Sequence, residues 1–204
     1  MTFNTLTRIA IQNKGRLRDD SLKFLKSLGV DIPSNPGRSL LVSANNVPVE
    51  VIFARHRDIP KYVQSGIAQY GIVGENVLFE YDVPVSTMQT LSFGDCRLVI
   101  AVPQDSPSKT IRDLDGKRIA TAYPNSLRKF LNANHLTARI VEMSGSVELA
   151  PKLDLADAIC DLTQSGETLR IHDLIPIQTI LESKAVFITT PVWVDELNVS
   201  KSLP

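Results

Sequence analysis

Short apolar runs alternate with helical stretches almost from one end of this chain to the other, and that alternation restricts the fold most. The strand candidates are "TRIAI" (7–11), "SLLVSA" (39–44), "VEVIFA" (49–54), "YGIVG" (70–74), "RLVIAVP" (97–103), "RIATA" (118–122), "ARIVEM" (138–143) and "DAICDL" (157–162), then the pair "IPIQTIL" and "KAVFIT". Helical spacing is read over Asp19–Leu28, where Leu22, Phe24, Leu25 and Leu28 form one apolar face. Further helices are read over Ile59–Ser65, Asn76–Phe79 and Asn125–Asn134, and a short one begins near Thr168. Runs of four to six apolar residues between helices predict strands buried on both faces, and hence a largely parallel α/β sheet.

Two extended stretches interrupt the alternation. "MQTLSFGDCR" (88–97) carries a glycine within extended chain, and "LIPIQTILESKA" (174–185) joins two strand candidates with no helix between them. Two such crossings let the chain leave one lobe, build a second and return. The expected architecture is therefore α/β with two lobes and a cleft between them. The first lobe is discontinuous (1–92 plus 181–204) and the second continuous (93–180).

The 22 basic and 22 acidic residues cancel, so no broad electrostatic field for nucleic acid or an anionic membrane is expected. Any bound anion must be held by local groups. The longest apolar runs are too short to span a bilayer, and the first residues carry no signal-peptide pattern, so the default localisation is cytoplasmic. Cys96 and Cys160 sit in apolar surroundings and read as buried free thiols. His56, His135 and His172 share no spacing with them, so no protein-held metal is expected.

"DLTQSGETL" (161–169) asks for chemistry. It places hydroxyls and one glycine between a strand and a helix, directly after Asp161. Open α/β sheets bind ligands at the carboxyl ends of their strands. Gly166 allows close backbone approach, Ser165 and Thr168 offer hydroxyls, and the amides at the helix start carry partial positive charge. Such a loop suits a terminal phosphate, while Asp161 suits the neighbouring hydroxyls of a ribose. The same residues also suit a plain turn and helix cap.

Other loops follow the same logic. In "QNKGRLRDD" (12–20), Lys14 and Arg16 flank Gly15 at a helix entrance and suit a polyphosphate. In "FARHRDIPKYVQSG" (53–66), Arg55 follows a buried strand, and a guanidinium grips a pyrophosphate at two points. Asp58 reads as the cap of the helix that Pro60 helps to start. Gly74 and Glu75 sit where another strand gives way to a helix. In "GSVELAP" (145–151), Glu148 reads either as a helix-dipole partner or as a second ribose ligand beside Asp161.

Six segments taken in order resemble the catalytic portion of the ATP phosphoribosyltransferase family. They are "RIAIQNKGRL", "RDIPKYVQSGIAQYGIVGENVL", "FGDCRLVIAVP", "KRIATAYPNSLRKFL", "GSVELAP" and "LADAICDLTQSGETL". The resemblance implies two lobes of the periplasmic-binding-protein type II-like kind. It implies attack of adenine N1 of ATP on C1 of phosphoribosyl pyrophosphate, with Mg2+ carried by the substrate. The segment matching Ser165, Gly166, Glu167, Thr168 and Leu169, entered through Thr163 and Gln164, would hold the 5-phosphate. Asp161 and Glu148 would hold the ribose. Lys14, Arg16 and Arg55 would act on the ATP phosphates or the departing pyrophosphate, and Tyr123, Gly74 and Glu75 would join the substrate site.

The resemblance also implies a homodimer or larger oligomer. The chain ends at "VWVDELNVSKSLP", leaving no room for the long form's regulatory domain and no closing helix, so a short form or a truncated long form is expected. A short form implies a regulatory subunit resembling histidyl-tRNA synthetase. Two positions depart from the family pattern: Gln69 stands where an acid is common, and Glu167 where an arginine is common. They keep open a non-catalytic small-anion-binding module or an inactive paralogue.

Overall fold

The computed structural model describes residues 6–33 and 39–191. The final segment, on which the expected absence of a closing helix rests, lies outside them. In chain order the elements are β1 (Thr7–Gln12), α1 (Arg18–Ser27), β2 (Leu41–Ser43), β3 (Val49–Ala54), α2 (Ile59–Gln64), β4 (Tyr70–Gly74), α3 (Glu75–Tyr81) and β5 (Ser86–Thr90). They continue with β6 (Cys96–Pro103), β7 (Arg118–Thr121), α4 (Pro124–Ala133), β8 (Arg139–Glu142), β9 (Ala158–Thr163), α5 (Glu167–Ile171), β10 (Leu174–Ser183) and β11 (Ala185–Thr189). Short 3-10 turns occupy His56–Asp58, Ile111–Leu114 and Val147–Leu149.

The chain divides into two units, Met1–Gly94 with Lys184–Pro204, and Asp95–Ser183. The first contains a sheet ordered β2-β3-β1-β4-β11-β5, and the second a sheet ordered β10-β6-β9-β7-β8. Each sheet is covered on both faces. In β1, Ile9 and Ile11 enter one core cluster with Leu25 and Phe187, while Ala10 enters the other with Ile59 and Val186. In β6, Leu98, Ile100 and Val102 pack with Leu127 of α4, whereas Val99 and Ala101 pack with Val147 and Leu169. Two-sided burial explains the unbroken apolar runs, each fully buried Ile or Leu contributing about 1.5–3 kcal/mol.

The sheets are mixed, which corrects the expectation of a largely parallel arrangement. Only β3-β1-β4 and β9-β7-β8 are parallel. The strands at the two chain crossings, β5, β6, β10 and β11, run antiparallel to their neighbours. A parallel neighbour requires a long crossover, usually a helix, and the chain provides none there. The stretch read as a bare extended crossing, 88–97, also contains the end of β5, an edge strand paired to β11.

Gly94 lies at the first crossing with φ +79°, and a Cβ there would meet Leu17 Cδ2 at 2.5 Å and Ala185 Cβ at 3.1 Å. The Arg16 guanidinium donates to its carbonyl. The amide of Ala185 donates to the Phe93 carbonyl at 3.1 Å and the Leu91 amide to the Ala185 carbonyl at 2.8 Å. Both cysteines are buried, and neither is in a disulfide. Among the described residues, no helix is long and apolar enough to cross a membrane.

Candidate active site

In the second unit the parallel strands β7, β8 and β9 end side by side, with Thr121 in register with both Glu142 and Cys160. Thr121 Oγ1 donates to the Cys160 carbonyl at 2.6 Å and accepts from the Tyr123 amide at 2.9 Å. This ties the end of β7 to β9 and places half-buried Tyr123 at the head of α4, with Pro124 opening the helix.

The loop after β9 is short. Thr163 is its buried last strand residue, Gln164 and Ser165 are exposed, and Gly166 turns at φ 81°, ψ 1° to start α5. A Cβ at Gly166 would meet nothing within 4 Å, so glycine is required by the left-handed backbone alone. Ser165 Oγ accepts from the Glu167 amide at 3.3 Å, and the next amides of α5 have no carbonyl partner within the helix. Buried Leu169 anchors α5 against Val99 and Ile159. The exposed Glu167 carboxylate is held by Arg170 through contacts of 2.8 and 3.1 Å, so its negative charge is matched within the helix.

Asp161 stands opposite Val99 of β6, on the sheet face that packs against Val147 and Leu169. One oxygen accepts from the Leu162 amide at 2.8 Å. Burial, opposed by that hydrogen bond and reinforced by the charge of Glu148, pushes its pKa up from 3.8 to about 6. Glu148, on the 3-10 turn Val147–Leu149, is half-buried. It also lines a cavity of about 800 Å3 with Gln104, Lys152 and His172. Asp157, at the other end of β9, is occupied: its carboxylate accepts from the amide and guanidinium of Arg118 at 2.8–3.2 Å, which holds it below the usual carboxylate range. Tyr123, Asp161 and the loop through Leu169 thus share the carboxyl end of one sheet, with Glu148 near enough for its charge to act on Asp161, while Asp157 lies at the other end.

In the first unit β3, β1 and β4 likewise end together, Gln12 lying beside Ala54. Exposed Lys14 and half-buried Arg16 follow β1, exposed Arg55 follows β3, and Gly74 closes β4. The field of Arg16 reaches His56, whose pKa is lowered first by burial and then by the charges of Arg57 and Arg16, against the opposing charge of Asp58. Glu75 begins α3, and its carboxylate accepts from the Lys184 amide at 2.9 Å, clamping the turn between β10 and β11. The expected cap at Asp58 is corrected. The residue has helical backbone angles and makes no capping hydrogen bond, because the preceding 3-10 turn already leads the chain into α2. Arg97, not expected from sequence, faces Thr163 across the β6–β9 pair.

Among the described residues no group of three or more His, Cys, Asp or Glu is placed to hold a metal ion. The arrangement in the second unit supplies two interacting carboxylates beside a hydroxyl-rich, glycine-turned loop. The first unit supplies cations at strand ends.

Two α/β units of this kind define a class shared with periplasmic binding proteins. Truncated arginine-bound ArgBP from Thermotoga maritima superposes with a TM-score of 0.59 over 93% of this chain and 90% of that one, at 13% identity, a likeness of fold alone. The ATP phosphoribosyltransferase (HisG) pattern matches residues 55–202, and the chain belongs to that family. An ATP phosphoribosyltransferase of Cytophaga hutchinsonii is 44% identical over 189 residues, covering 93% of this chain and 66% of that protein. The ATP phosphoribosyl transferase (HisG:HisZ) complex of Thermotoga maritima contains a chain with a TM-score of 0.79 and 30% identity, covering 93% of this chain and 90% of that one. The chain spans 62–66% of the length of the curated relatives it matches.

Proposed function

We propose that this chain catalyses transfer of the phosphoribosyl group of phosphoribosyl pyrophosphate to N1 of the adenine of ATP, releasing pyrophosphate. The observation that carries the reading is a buried Asp161, on the sheet face beside the Thr163–Leu169 loop and within the field of Glu148. A carboxylate pair accepts hydrogen bonds from the two ribose hydroxyls, and the loop amides and the hydroxyls of Ser165 and Thr168 donate to the 5-phosphate oxygens. Family membership and the Cytophaga relative support the same assignment.

The chemistry asks little of acid–base groups. The bond from ribose C1 to pyrophosphate breaks through a ribosyl cation-like state, with the adenine N1 lone pair forming the new bond. Negative charge grows on the leaving group. Arg55, Lys14 and Arg16 are assigned to the polyphosphates, where a guanidinium stabilises that charge. Mg2+ enters as part of the substrate complex and supplies further charge neutralisation. Orientation of two anionic substrates accounts for much of the remaining acceleration. Tyr123, Gly74 and Glu75 complete the proposed substrate contacts.

A HisZ-like regulatory subunit belongs to the proposal, supported by the Thermotoga complex, and so does homo-oligomerisation. The test mixes purified protein with ATP, phosphoribosyl pyrophosphate and Mg2+ and follows ultraviolet absorbance of the adenine product, with and without a HisZ-type subunit. A time-dependent rise that requires both substrates is expected. No rise in either arm overturns the catalytic reading in favour of a binding module.

A further inference from the structure

We propose that Arg97 is a substrate-binding residue of the second unit that grips the 5-phosphate of phosphoribosyl pyrophosphate; this rests on the functional reading above. Alternation along β6 sends Leu98, Ile100 and Val102 into one core and Val99 and Ala101 into the other. Arg97 therefore stands on the Val99 face, the face of Asp161. In the β6–β9 pair Arg97 is in register with Thr163, and Val99 with Asp161. Its side chain thus rises beside the residue that opens the loop and diagonal to Asp161. Such diagonal Cβ atoms lie about 7–8 Å apart, within reach of a long side chain.

A cation there offsets the local charge. A phosphate approaching this loop meets the field of Asp161 and Glu148, and Arg170, spent on Glu167, cannot counter it. Arg97 is exposed although its neighbours Cys96 and Leu98 are buried, and among the described residues it forms no ion pair. Glu182 of β10 lies in register on its other side without closing one. A guanidinium placed so supplies two parallel donors to phosphate oxygens.

The 5-phosphate does not react, so this contact is equally strong in ground and transition states, and its loss falls on KM rather than kcat. The experiment compares wild type with Arg97→Met, Arg97→Lys and Glu182→Gln by steady-state kinetics. It adds calorimetric titration with phosphoribosyl pyrophosphate, ribose 5-phosphate and ribose, and a thermal melt of each protein. Arg97→Met is expected to raise KM and Kd for phosphoribosyl pyrophosphate by about tenfold to a hundredfold. Its kcat should stay within about threefold and its KM for ATP unchanged, with Arg97→Lys recovering part of the loss. Ribose 5-phosphate should weaken in parallel, whereas ribose should not. Equal affinity of wild type and Arg97→Met overturns the proposal. So does a loss that Glu182→Gln reproduces, or one that accompanies a lowered melting temperature and is not relieved by lysine, since these mark a strand-pairing role. A wild type that binds no phosphoribosyl pyrophosphate instead removes the functional reading beneath it.

Discussion

Replacing Asp161 by Asn should weaken ligand binding yet make the protein more stable, by an amount that depends on pH. Its pKa stands at about 6 against an ordinary 3.8, chiefly because burial penalises the charged form. Proton counting gives the sign. Between about pH 4 and 6 the unfolded chain has released the Asp161 proton that the folded protein still holds, so folding stability falls as pH rises. Above pH 6 the full penalty is present. The interval from 3.8 to about 6, at about 1.36 kcal/mol per pH unit, gives roughly 3 kcal/mol, and partial exposure of the carboxylate reduces this to about 2–3 kcal/mol. Asn keeps an acceptor for the Leu162 amide without the charge. Urea unfolding of wild type and variant from pH 4 to 8 should show equal stability near pH 4 and a gap that opens through pH 6 to a plateau near pH 7. A gap independent of pH, or a variant less stable at pH 8, refutes the reasoning. Affinity of wild type for phosphoribosyl pyrophosphate should rise over the same interval, because ribose hydroxyls bond the ionised form more strongly.

Arg55→Ala should lower turnover by about 100-fold, the usual loss when one transition-state charge partner is removed; a turnover within a few-fold of wild type rejects that role. Gly94→Ala forces a side chain into a left-handed turn and against Leu17 and Ala185, so it should cost about 2–4 kcal/mol. Gly116→Ala, with φ +71° but open space, should cost only about 1 kcal/mol in the same urea titration. Glu167→Gln releases Arg170 beside the loop and should tighten phosphoribosyl pyrophosphate a few-fold at low salt, the gain fading at high salt; an unchanged KM at about 20 mM and about 500 mM salt, roughly a fivefold difference in screening length, opposes it.

The strands buried on both faces were legible because their apolar runs leave no other placement: Tyr70–Gly74 is wholly buried, and Leu98–Val102 feeds two cores at once. β5 was not, since "STMQT" at a sheet edge is held by backbone pairing to β11 and carries no apolar signal. Strand direction escaped for a related reason. Whether β6 runs with or against β9 depends on how the chain enters the second unit, which periodicity does not record. In the site, the Asp161–Leu169 loop could be read because strand, glycine and helix follow one another locally. The division of labour between Asp157 and Asp161 could not, for it depends on Arg118, far away in sequence. Arg97 was hidden likewise: its place opposite Thr163 is a matter of register.

The bonds joining Leu91 and Phe93 to Ala185 hold the outgoing and returning strands of the first unit shoulder to shoulder, and Cys96 pairs with Ser183 at the base of the second. Topologically, residues 95–183 are a cassette whose two ends meet. A short glycine-containing splice across that gap should leave the first unit's six-stranded sheet intact, and the excised cassette begins and ends on adjacent strands. The excised cassette should therefore fold by itself, which a cooperative thermal melt of residues 95–183 alone checks.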